Sequence, residues 1–99
     1  SVSDVQQMKW LQNRYQNASS DPAGMEELTT KMRALTGRKM EQLCSDFEEY
    51  DVMNDPYLQK KLETENSEMI MILGILQQLK IEVPKEYRKK ICEVLTTQE

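Results

Sequence analysis

Ninety-nine residues is the size of one domain, and a chain of this length buries roughly two-thirds of its unfolded surface on folding, so a single core is the ceiling. Apolar residues make up 38% and charged residues 30%, with 3 Gly and 3 Pro, a balance too apolar for a disordered tail and too poor in turn formers for a many-stranded β protein. Thirteen basic against 17 acidic side chains give a net charge of -4, a field that repels phosphate backbones and anionic lipid.

The first helix is expected at about Asp4 to Gln16. Ser3 and Gln6 have the spacing of a capping box, and Val5, Met8, Leu11 and Tyr15 recur at three- and four-residue steps, as one stripe of a helix requires. Trp10 falls off that stripe, so either the helix is buried on two sides or the indole is displayed as an anchor for a partner. Ala18 to Asp21 is a loop, after which Asp21 can cap a new helix and Pro22 can occupy its first turn, where a missing N–H costs nothing.

The second segment carries two stripes, Met25, Leu28, Met32, Leu35 and then Met40, Leu43, Phe47, Tyr50, each spaced 3, 4, 3. The five-residue step from Leu35 to Met40 turns the second stripe by about 100° relative to a four-residue step. Gly37 sits inside that slip, so one long helix is bent or rotated there, or Gly37 caps one helix and a second starts near Arg38. A single kinked helix is the preferred alternative.

Asn54, Asp55 and Pro56 form the next break and start the third helix. Leu58, Leu62, Glu65, Met69, Ile72, Leu76, Leu79 and Val83 then step 4, 3, 4, 3, 4, 3, 4, an unbroken heptad seam with one charged member. Between Met69 and Leu76 apolar residues also cover the other faces, which places this stretch at the centre of the core. Pro84 should end the helix and start a fourth, about Pro84 to Leu95, bearing Tyr87, Ile91, Val94 and Leu95.

The fold expected from these elements is an all-α, compact antiparallel bundle of three to four helices, occupying residues 1–99 as a single domain. The alternative is an elongated helical hairpin that dimerises, because helices near 30 residues would extend about 45 Å and could outrun a monomeric core. Ser1 opens no basic-then-apolar leader and no initiator Met is present, so the chain is expected to be processed or a piece of something longer. The apolar run Met69 to Leu73 falls far short of the roughly 20 residues that span a bilayer, so no membrane insertion is expected.

Catalysis needs groups that can be tuned and aimed, and the sequence offers no histidine, no glycine-rich phosphate loop and no serine or cysteine beside a plausible base. No enzyme, cofactor or metal is expected. Cys44 and Cys92 lack CxxC spacing, which disfavours zinc, and read as reduced, buried thiols of an intracellular protein. The acidic run Asp46, Glu48, Glu49, Asp51 and Asp55 lacks the alternation and central glycine of a calcium loop, leaving a solvated face or an acidic patch for a basic partner. The sequon at Asn17 and the string Tyr50-Asp51-Val52-Met53, which resembles a short phosphotyrosine motif, receive no function.

The surviving expectation is a protein-binding module, an adaptor or scaffold unit that docks another protein or an amphipathic peptide. Its candidate contacts are Trp10, the flexible thioethers Met32 and Met40, and the basic residues Lys85, Arg88 and Lys89, to which Lys60 and Lys61 add if the third and fourth helices lie side by side. The second reading is self-association of the heptad seam into a homodimer. A third, nucleic acid held by the basic fourth helix, is disfavoured by the net charge and by the lack of interleaved aromatics.

Overall fold

The computed structural model describes residues 3–83 and 85–90. Three long helices pack against one another: α1 (Asp4–Asn17), α2 (Pro22–Met53) and α3 (Pro56–Gln78). Residues 85–90 are also helical. The protein is an all-α bundle with no strand among the described residues. The remainder of the expected fourth helix, Pro84 and residues 91–95, lies outside the described residues, as does Cys92.

The helix starts follow from their caps. The Ser3 hydroxyl accepts from the Gln6 N–H at 3.2 Å while the Gln6 side chain accepts from the Ser3 N–H at 3.4 Å, the reciprocal pair of a capping box. Asp21 accepts from the Gly24 N–H at 3.1 Å and Asp55 from the Tyr57 N–H at 2.9 Å, each with proline in the first helical turn. Asn54, at φ 55°, closes α2 in the left-handed region that Asn tolerates better than most residues.

The chain is one helix through Gly37, so the alternative of two separate helices is set aside. The phase slip has a packing cause. Leu28, Met32 and Leu35 join Val5, Met8 and Leu11 of α1 and Ile72, Ile75 and Leu76 of α3 in one core. Met40 and Leu43 join Leu62 and Met69 in a second, where Phe47, Tyr50 and Tyr87 are partly buried. The first half of α2 therefore faces two helices, whereas the second half faces α3 and the 85–90 segment. Gly37 is buried at the junction under Tyr87, whose hydroxyl oxygen would lie 2.5 Å from a Cβ there, so the close packing needs glycine.

The third helix stops short of the expected end at Val83. Lys80, at φ 59°, is left-handed, its N–H donates to the Gln77 carbonyl at 3.0 Å, and the Ile81 N–H donates to the Leu76 carbonyl at 2.9 Å. That pair of bonds is a Schellman motif, and the accompanying apolar contact is supplied by Ile81 and Leu76, which share the first core. Leu79 and Val83 consequently lie beyond the helix and pack half-buried at the edge of that core.

Connectivity is up-down-up. Gln12 of α1 meets Gln78 of α3 at 2.9 Å, and Lys61 of α3 meets Asp46 of α2 at 3.4 Å, which sets α1 and α3 side by side with α2 running opposite. Lys39 is 8% exposed and joins all three helices, with its Nζ 3.6 Å from Asp4 Oδ2 and 3.2 Å from Glu68 Oε2. A cation so enclosed is tolerable only because both carboxylates meet it.

Candidate functional site

The residues singled out in the sequence separate into two classes. Met32 and Met40 have no exposed surface; they fill the first and second cores and cannot touch a partner, which corrects their expected role as contacts. Met69 is buried with them, Met25 is half-buried, and Met71 keeps 46% of its surface. Met32, Met40 and Met69 are packed inward with the rest of their stripes, as methionines at helical spacing more often are.

Trp10 is displayed, with 58% of its surface exposed. It points away from the buried stripe, and the Arg14 guanidinium, one turn on, lies 4.8 Å from its ring centroid, a cation–π arrangement that fixes the indole at the surface. Beside it a cleft of about 330 Å³ opens between α1 and α2. Gln7, Trp10 and Leu11 form one wall, Lys31, Ala34 and Arg38 the other, and Leu35 is the seventh lining residue. Two features of the sequence build this cleft. The 3-4-3 spacing of α2 sends Leu35 inward and leaves Ala34 exposed, and alanine's single methyl leaves open the space that a larger side chain would fill.

Lys85, Arg88 and Lys89 are exposed on the 85–90 segment. Arg88 lines a second cleft of about 420 Å³ with Leu73, Gln77, Lys80, Ile81 and Val83, and sits there with Lys80 rather than with Lys60 or Lys61. Those two lysines share a cleft with Lys39, Tyr57, Thr64 and Glu68 at the start of α3. The structure thus brings Trp10 together with Lys31, Ala34 and Arg38, residues that no periodicity argument selected, and does not merge the two groups of basic residues.

A buried polar group on the heptad seam was visible in the sequence only as an exception. Glu65 is 5% exposed and faces Asp46 of α2, itself 4% exposed. Burial, reinforced by the hydrogen bond that Glu65 donates to Asp46 and by the charge of that carboxylate, pushes the Glu65 acid up to about 8. Its buried Oε2 has no hydrogen-bond partner, which further disfavours the ionised form. Burial also works against charge on Asp46, but hydrogen bonds from Glu65, Gln42 and Lys61 outweigh it and hold that carboxyl below its ordinary value. The Glu65 acid and the Lys61 ammonium, both reaching Asp46, tie α3 to α2. The rest of the acidic run is not a patch with Asp46, which is buried, and Asp55 caps α3.

No known family matches the chain, and no curated protein or solved structure is similar to it. Among the described residues no His, Cys, Asp and Glu side chains group as metal ligands, and no helix is long and apolar enough to cross a membrane.

Proposed function

We propose that this domain is a non-catalytic protein-binding module and that a partner docks in the cleft between α1 and α2, anchored by Trp10. The observation carrying this reading is the exposure of the chain's one tryptophan beside an apolar cleft. Tryptophan is the residue type most enriched among energetically dominant contacts, and a folded monomer gains little from leaving an indole in water. A cleft of this size takes one or two large apolar side chains of a partner, which suits an adaptor or scaffold unit of an intracellular assembly.

The competing reading, a homodimer paired through the heptad seam, is less favoured because that seam is already occupied. Leu58, Leu62, Glu65, Met69, Ile72 and Leu76 are all buried against the protein's own helices.

The test is affinity capture with mass spectrometry on the wild type, Trp10→Ala and Ala34→Phe, each first shown to retain its helical circular dichroism. A specific partner should be held by the wild type and lost from both variants. Retention of the same proteins by all three would exclude the cleft as the docking site.

A further inference from the structure

The cleft between α1 and α2 differs in charge from the rest of the chain. The chain as a whole is at -4, yet the charged residues lining this cleft, Lys31 and Arg38, are both cations. Arg14 adds a third at its edge, over the Trp10 ring. Lys31 is engaged by Glu27 at 3.4 Å, but this pair spans a single helical turn with 53% and 71% of the two side chains exposed, so an incoming carboxylate can displace it at little cost. Between the cations the surface is apolar, made by Leu11, Ala34, Leu35 and the indole.

The shape of the site is also defined. It lies in the furrow between antiparallel helices, and the 14 residues of α1 give that furrow a length of about 21 Å. A helix laid in such a groove presents apolar residues at i, i+3 or i+4, and i+7, while its flanking positions meet the rims. Here the α2 rim offers Lys31 and Arg38, two turns apart, and the α1 rim offers Arg14.

Resting on the cleft being the docking site, we infer that its occupant is an acidic amphipathic helix of about 14 residues, with one apolar face and Asp or Glu along its flanks. The domain's overall negative charge opposes such a partner at long range, so the preference is exerted at contact, within a Debye length of about 8 Å at physiological salt. Charges at a rim of this kind govern which partner is accepted more than how tightly it is held.

The experiment uses the full chain and three fluorescein-labelled 15-residue peptides. Each carries Leu at the apolar positions of a helix and Glu, Gln or Lys at the remaining ones. Fluorescence anisotropy gives affinity, and emission from the single Trp10 reports whether binding occurs at the cleft. The Glu peptide should bind about tenfold or more tighter than the Lys peptide, with Gln between them, and the Lys31→Glu, Arg38→Glu double variant should invert that order. Ala34→Phe should weaken all three peptides. Ala34→Gln is the second blocking variant, and circular dichroism checks that both fold.

Equal affinity for the three peptides, all weakened by Ala34→Phe, would overturn the acidic preference while leaving the cleft as a docking site. Tightest binding of the Lys peptide would overturn it as well. Absence of binding by any peptide with Trp10 emission unchanged, or binding indifferent to both Ala34 variants, would remove the cleft and the inference together.

Discussion

At the scale of single residues, Glu65 is the position where chemistry and fold are most tightly linked. Its acid is held at about 8 in the folded state against an ordinary value of 4.5. A carboxyl raised by folding binds more protons in the native than in the unfolded state, so stability falls as pH rises from 4.5 to about 8, by at most about 1.4 kcal/mol per pH unit. Asp46 acts in the opposite sense but below its ordinary value of 3.8, outside that window. Chemical denaturation of the wild type at pH 5 and pH 8 should therefore show a markedly lower midpoint at the higher pH. Glu65→Gln retains a donor for Asp46 and cannot ionise, and should flatten the dependence; an equally steep slope in Glu65→Gln would show that another group titrates. Glu65→Leu, which gives up the hydrogen bond but also the burial of an ionisable group, should be neutral or stabilising near pH 7.

At the scale of elements, the caps and stripes were legible because each is a local signal: a hydroxyl or carboxylate two or three residues before a backbone N–H, an apolar residue every third or fourth position. What lay beyond such signals was missed for physical reasons. The end of α3 depends on a left-handed lysine at 80, where the motif ordinarily uses glycine, so the proline at 84 was the only visible stop. Lys39 and Asp46 are buried by partners on other helices, information that apolar periodicity does not carry. The cleft was legible through Trp10 but not through Ala34, whose short side chain leaves the space open, or Arg38, which lines the cleft only once α1 and α2 are packed. For α3 the two criteria agree. Ile72 and Leu76 lie on the seam and have no exposed surface, so truncating either to Ala should cost about 2 to 5 kcal/mol in urea denaturation. Ile70, one residue past Met69 and so turned about 100° off the seam, is 60% exposed and should lose no more than about 0.5 kcal/mol on the same change. Equal effects at Ile70 and Ile72 would contradict the orientation of the helix.

At the scale of the whole molecule, the determining fact is that α1 is much shorter than the hairpin it lies on. The longest dimension is 49 Å, set by the 32 residues of α2, which extend about 48 Å, and the radius of gyration of 14.7 Å exceeds the roughly 13 Å of a compact chain this size. The expectation of a compact bundle is thus met in topology, with an elongation that the long second helix imposes. α1 contributes Val5, Met8 and Leu11 to one core only, while α2 and α3 share both. Its further ties are the exposed Gln12–Gln78 hydrogen bond at 2.9 Å and the Asp4–Lys39 ion pair at 3.6 Å, in which Asp4 is 40% exposed and Lys39 keeps Glu68 when Asp4 leaves. Three buried side chains, one exposed hydrogen bond and one half-exposed ion pair are less than the α2–α3 hairpin has to lose, so α1 should open as a unit before the rest unfolds. Native-state hydrogen exchange at rising denaturant should show the amides of residues 8–17 exchanging together with a lower opening free energy than those of residues 62–76. Since the cleft proposed for docking has one wall on α1, a peptide that binds there should at saturation raise α1 protection selectively, by mass action on the closed form. Protection of α1 equal to that of α3 in the free protein would mean a single cooperative unit and would remove the basis for that coupling.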